Sequence, residues 1–156
     1  MNRLLTPRLL EIASLVSQGA ALIDVGTDHA YIPIYLMDKG VLSRGKCTDI
    51  HDGPIRRAKE NISRYGLTDK IIAEKADGLQ GVDVEGYNTI VIAGMGGMLI
   101  AEILRNAPFL QGKTLILQPM TAVRELRMYL LENGFKITIK EKYTSKIYFY
   151  KAISKA

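Results

Sequence analysis

Five strand-like segments alternate with helix-like ones along most of this chain, and that alternation leaves few folds open. Ala21 to Val25 is a short apolar run that ends at Gly26. Lys46 to Ile50, Lys70 to Ala76, Thr89 to Ala93 and Thr114 to Gln118 read as the next four strands. Between them the apolar residues fall at helical spacing, as Ile55, Ala58 and Ile62 do, and glycines at 40 and 66 stop the turns. A Thr6-Pro7 start predicts one further helix ahead of the first strand.

Strands that alternate with helices form a parallel sheet covered on both faces. The end of the chain breaks the pattern. Phe135 to Glu141 and Lys146 to Ile153 are successive strands with no helix between them. A parallel crossover needs about a dozen residues, so these two must run antiparallel. The expectation is an α/β fold: a mostly parallel seven-stranded sheet, a C-terminal antiparallel hairpin and helices on both faces. This is the layout of Rossmann-like methyltransferases, a likeness of fold that leaves function to the site residues.

Length and composition fit one globular domain, residues 1–156, with a short N-terminal helix. The single cysteine, Cys47, excludes an internal disulfide and suits a reducing compartment, so the chain reads as cytoplasmic. Pro7, Arg8 and Glu11 interrupt the leucines near the start, and no membrane or targeting segment is expected. The net charge of +5 is concentrated in residues 136–156, which hold six lysines and one acid. Such lysines attract phosphates or protect the edges of terminal strands, and the lack of an accompanying arginine and aromatic cluster favours the second role.

Ligands of open parallel sheets bind beyond the carboxyl ends of the strands. The first strand ends Asp24-Val25-Gly26-Thr27-Asp28-His29-Ala30-Tyr31. Gly26 permits the tight turn, but Asp28 stands where a dinucleotide fingerprint would carry glycine. A carboxylate there repels a pyrophosphate and suits a cationic ligand such as S-adenosylmethionine (SAM). Asp28 as the cap of the next helix is an equally open reading. Asp49, with Ile50 beside it, ends the second strand, where an acid commonly accepts the ribose hydroxyls of an adenosine cofactor. Asp77 and Gly78 end the third, where an acid can accept from an adenine amine and a glycine lets the ring lie close. Ala93-Gly94-Met95-Gly96-Gly97 ends the fourth, with more glycine than a turn needs, as a backbone-lined pocket would require. Gln118 and Pro119 end the fifth, where the amide could bond a substrate base. Tyr31 either lines the cleft or packs. The group Asp28, His29, Asp49, His51 and Asp52 matches no standard ligand spacing, so no metal is expected.

Residues 24–33, Gly53-Pro54, Asp77-Gly78-Leu79, Ile92 to Gly97 and Leu117-Gln118-Pro119 together resemble the bacterial TrmK family. The resemblance covers nearly the whole chain. It implies a SAM-dependent tRNA methyltransferase acting on N1 of the adenine at position 22, with S-adenosylhomocysteine (SAH) as coproduct. It places Gly26, Asp28 and His29 around the methionine part of SAM, with Asp24 and Thr27 as further cofactor contacts. Asp49 and Ile50 fall at the ribose, Asp77 and Gly78 at the adenine, and Ala93, Gly94, Met95 and Gly96 beside the methyl group. Beside the resemblance, Asp28, which could stabilise the cationic product, and His29, which could accept its proton or orient Asp28, are the candidate catalytic residues, and Tyr31, Gln118 and Pro119 the candidate substrate contacts. tRNA is the implied partner, and nothing marks an obligate protein partner. Met120 stands where the family commonly has asparagine. The helical C-terminal region of the family is expected to be missing from residues 1–156. Alternatives of another kind are a non-catalytic SAM- or RNA-binding relative, a methyltransferase with a different acceptor, and an NAD-dependent oxidoreductase.

Overall fold

The structure, a computed structural model, describes residues 5–108, 110–144 and 147–154. Helix α1 (Pro7–Ser14) comes first, and the Thr6 hydroxyl caps it by accepting from the Leu9 N–H at 3.3 Å. Then come β1 (Ala20–Val25), α2 (Tyr31–Asp38), β2 (Leu42–Asp49), α3 (Asp52–Arg64) and β3 (Ile71–Lys75). The second half holds β4 (Thr89–Met95), α4 (Gly97–Arg105), β5 (Thr114–Pro119), α5 (Val123–Glu132), β6 (Phe135–Thr144) and β7 (Ile147–Ser154).

These strands form one seven-stranded sheet in the order β3-β2-β1-β4-β5-β7-β6. β1 to β5 pair in parallel, and β7 runs antiparallel to both β5 and β6. The mostly parallel sheet with a terminal antiparallel hairpin is therefore what forms. Its last strand takes the inner place: β7 buries Tyr150 and Ala152 beside β5, and β6 carries the exposed Lys136 along the edge.

β1 is buried along its whole length, and its alternate residues serve two cores. Ala21, Ile23 and Val25 pack with Ile100, Leu104, Leu126 and Leu130 of α4 and α5. Ala20 and Leu22 pack on the other face with Ile12 of α1 and with Ile32 and Leu36 of α2. Val91 of β4 and Ile116 of β5 join this second core, so α1 lies over the middle of the sheet. A third cluster, around Cys47, Ala58 and Ile62, seats α3.

The chain steps outward from β1 to β2 and β3, then returns to lay β4 on the other side of β1. The strand order reverses between β1 and β4, and a crevice opens beyond their carboxyl ends. Several bounds differ from the sequence reading. β2 starts at Leu42, because the exposed Ser43 and Arg44 hide a segment that already pairs with β1. β4 runs on to Met95 through an irregularity between Ala93 and Met95, where Gly94 adopts φ 75°. Among the C-terminal lysines, Lys151 turns inward and donates to the Leu15 carbonyl at 2.9 Å, tying β7 to the end of α1. Residues 1–4, Lys146, Lys155 and Ala156 lie outside the described residues.

Candidate active site

The pleat of β1 puts Asp24 on the same face as Leu22, beneath α1. Asp24 is 5% exposed, and its Oδ2 accepts from the Thr27 hydroxyl at 2.8 Å. Burial pushes its carboxyl up to about 7; the Thr27 hydrogen bond holds it down and the Asp49 charge adds to the rise. The turn after β1 winds through three left-handed residues, Gly26 at φ 74°, Asp28 at 53° and Ala30 at 61°. Two of these carry side chains, so the turn stores strain that the packing around it must hold.

That turn presents Asp28 and His29 side by side. Arg57 of α3 donates to Asp28 Oδ1 at 2.7 Å, and His29 Nε2 lies 3.4 Å from Oδ2. The His29 ring stacks on Tyr31, with centroids 4.8 Å apart and 7° between the planes. Asn61 of α3 donates to the His29 carbonyl at 2.9 Å, which fixes the turn from below. Asp28 is not the helix cap: the residue at that position of α2 is Ala30, and no side chain caps it. Arg8, Asp24, Thr27, Asp28, His29 and Tyr31 are among the residues around one cavity of about 220 Å³.

A second cavity, of about 330 Å³, opens on the other side of the same turn. Asp49, Ile50, Asp77, Gly78 and Met95 lie on its wall, joined by Thr48, His51, Leu99 and Ile103. Asp49 accepts from the His51 N–H at 3.0 Å, which steadies the bend after β2. Gly26 and Ala93 belong to both cavities, so the two meet at the β1–β4 crossing. The Met95 methyl rests directly on Gly26 at this junction, so a β-carbon at position 26 would have to displace it, besides being strained at φ 74°.

Three of the expected contacts stand elsewhere. Gln118 and Pro119 are buried and line neither cavity. The Gln118 Oε1 accepts from Arg8 at 2.7 Å and from the Gly94 N–H at 3.0 Å, so its amide is spent inside the protein. Gly96 also lines neither cavity; a β-carbon there would meet the Thr121 hydroxyl at 2.9 Å. Gly97 likewise serves packing, since a β-carbon would strike the backbone oxygens of Thr121 and Ala122. The glycine string therefore serves two purposes: Gly94 shapes the cleft, and Gly96 and Gly97 let β4 and β5 end against one another.

Two cations escaped the sequence reading. Arg8 and Arg57 reach the first cavity and its acid from α1 and α3, elements distant in sequence from the turn they serve. No local spacing marks either one. Cys47 is fully buried; burial pushes its thiol up, and the Asp24 charge adds to that, so it packs as core. Among the described residues no group of three or more His, Cys, Asp or Glu side chains is arranged to hold a metal ion.

A sheet of this order with its cleft at the β1–β4 reversal defines a Rossmann-like methyltransferase domain, and the family profile described as a methyltransferase domain matches residues 5–153. The chain is 37% identical over 140 residues to the tRNA (adenine(22)-N(1))-methyltransferase of Bacillus subtilis, covering 88% of this chain and 59% of that protein. A second curated relative, from Mycoplasma pneumoniae, is 32% identical, and the chain spans 62% of it. Among solved structures, an NADB-Rossmann superfamily protein from Streptococcus agalactiae superposes with a TM-score of 0.91 at 39% identity, over 97% of this chain and 69% of that one. TrmK from M. capricolum, solved with SAH, superposes with a TM-score of 0.86 at 30% identity, over 97% of this chain and 69% of that one. The chain belongs to the TrmK family of methyltransferase domains.

Proposed function

We propose that residues 1–156 act as one SAM-binding catalytic domain that methylates N1 of an adenine in tRNA, at position 22. The observation that carries this reading is the pair of cavities meeting at Gly26 and Ala93. One is lined by carboxylates and a guanidinium; the other offers acids at strand ends and the apolar walls of Ile50, Leu99 and Ile103. A nucleoside joined to an amino acid has that division of polarity. A dinucleotide would bring its pyrophosphate to a turn where Asp28 stands in place of a glycine. The names of the relatives, one a tRNA (adenine(22)-N(1))-methyltransferase and one solved with SAH, support the same reading.

In this reading Asp49 takes the ribose hydroxyls, and Asp77 with Gly78 faces the adenine. Asp24 and the turn from Gly26 to His29 hold the amino-acid end. When bound, SAM supplies a methyl group on a positively charged sulfur. Ala93, Gly94 and Met95 border the junction where the acceptor must arrive. Adenine N1 already carries a lone pair, so the protein's task is to place it and exclude water. Asp28 offers negative charge to a ring that turns cationic, with Arg57 fixing its direction. His29 orients Asp28 and can accept the proton that the methylated base gives up. The stacked Tyr31 extends an aromatic surface toward the acceptor. Acting on tRNA, the domain would work in the cytoplasm. Among the described residues no helix is long and apolar enough to cross a membrane.

The test is transfer of labelled methyl from SAM to unmodified bacterial tRNA, followed by nucleoside analysis. The expected product is 1-methyladenosine, lost when adenine 22 is replaced. Methyl transfer to another nucleoside would move the acceptor. A chain that binds no SAM would end the reading.

A further inference from the structure

We infer that Gln118 is a positioning residue for methyl transfer: its buried side chain holds a bulge at Gly94, beside the junction of the two cavities. The inference rests on the methyltransferase reading above. β4 and β5 pair from Thr89 with Thr114 as far as Ala93 with Gln118. The next pair is Met95 with Pro119, so Gly94 is an extra residue on β4 without a partner on β5. Such a bulge bends its strand and re-aims the residues that follow, and bulges gather beside active sites. Gly94 takes φ 75°, and its N–H loses its place in the ladder. Beyond it the strands rejoin, with the Met120 N–H donating to the Met95 carbonyl at 2.8 Å.

Gln118 supplies the acceptor that the ladder lacks. The Gly94 N–H donates to Gln118 Oε1 at 3.0 Å, and Arg8 Nη1 donates to the same oxygen at 2.7 Å. Two donors on one atom fix it as the amide oxygen, with both lone pairs in use. Gln118 is fully buried, and its Nε2 is 3.3 Å from the Pro119 carbonyl and 3.1 Å from the Met120 sulfur. The side chain is therefore held at both ends of its amide. A β-carbon on Gly94 would lie 3.6 Å from Arg8 Nη1, so the guanidinium also rests against the bulge.

Gln118 lines neither cavity, so it can act only through the backbone it holds. Ala93, Gly94 and Met95 do line the second cavity, and Ala93 lines the first as well. In the reading above this is the border where the acceptor meets the methyl group. Transfer in line demands close placement, and a shift of about 1 Å costs about 100-fold in rate. The acids that end β2 and β3 stand apart from the bulge, so Gln118 should govern turnover more than cofactor affinity.

The test separates turnover from binding in the full chain. It measures methyl transfer to unmodified tRNA, SAH affinity by calorimetric titration, and hydrogen exchange of the Gly94 amide by NMR. Gln118→Leu keeps most of the volume and removes the acceptor. It should lower kcat by about 10- to 100-fold, leave SAH affinity unchanged and speed exchange at Gly94. Gln118→Glu keeps an oxygen for both donors and should recover most of the turnover and the slow exchange. Gly94→Ala has room for its methyl but is strained at φ 75°. It should lower kcat too, and joined to Gln118→Leu it should add little, because both act on one bulge. Unchanged kcat in Gln118→Leu overturns the inference. So does a loss of SAH affinity as large as the loss of kcat, the mark of a structural role. So does a Gly94 amide that exchanges equally fast in the wild type and in Gln118→Leu. If Gln118→Leu does not fold, Gln118→Asn, shorter by one methylene, is held to the same three outcomes. A wild-type chain that methylates no RNA takes down the reading above and this inference together.

Discussion

The two halves of the cleft are built in different ways. The half beyond β2 and β3 is assembled from strand ends: Asp49, Ile50, Asp77 and Gly78 reach it simply because their strands stop there. The half beneath α1 is assembled from distant parts. Asp24 comes from β1, Arg8 from the first helix, and Arg57 from α3 pairs with Asp28 on its wall. The first half offers shape and apolar wall; the second offers charge of both signs, with Asp24 buried and the Asp28–Arg57 pair partly exposed. Shape can be set by local turns. Paired charge here comes from elements far apart in sequence, since Arg57 of α3 meets Asp28 of the turn after β1.

Of the two residues common to both halves, Gly26 gives the largest expected effect. Gly26→Val places a β-branched side chain at φ 74° and against Met95. The backbone strain alone costs about 1–2 kcal/mol, and binding of SAH and of 5′-methylthioadenosine should both vanish in titration. Retained binding of either would show that the two cavities do not act as one cleft.

Single substitutions then separate the halves. Asp49→Ala should weaken SAH and 5′-methylthioadenosine alike, by about tenfold or more. Asp24→Asn should weaken SAH by about tenfold and leave 5′-methylthioadenosine, which lacks the amino-acid tail, unchanged. The opposite pattern would exchange the roles assigned to the two cavities.

The pH dependence sharpens the same contrast. Asp24 holds its proton to about pH 7 in the folded chain, against about 3.9 when unfolded. Between these values the folded state binds more protons, so the stability from this group is complete below about pH 4 and falls as pH rises. The loss is at most about 1.4 kcal/mol per pH unit and levels off above pH 7. An ammonium favours the ionised carboxylate, so SAH affinity should tighten as pH rises through 7, while 5′-methylthioadenosine affinity stays flat. Asp24→Asn should flatten both the stability and the SAH profiles. A profile that persists in that variant would remove Asp24 as its source.

Arg57→Ala gives the smallest change in stability, since its pair with Asp28 is partly exposed and worth about 0.5 kcal/mol. Its effect should appear in turnover, with SAH affinity nearly unchanged, if Asp28 acts on the acceptor. Equal turnover in the variant would remove Arg57 from the mechanism.

The sequence by itself determined the sheet, its parallel core and its antiparallel end, because each strand carries its own periodicity and each turn its own glycine. It also brought Asp24, Asp49, Asp77 and the Ala93-Gly94 turn to one edge, since a parallel sheet puts all its strand ends on the same side. It could not tell that Gly96 and Gly97 face a neighbouring loop, that Gln118 points inward, or that β7 lies between β5 and β6. Nor could it find Arg8, whose place depends on α1 crossing the sheet above Gln118. Those features are decided by which elements pack face to face, and that choice is made by the whole core rather than by any one segment.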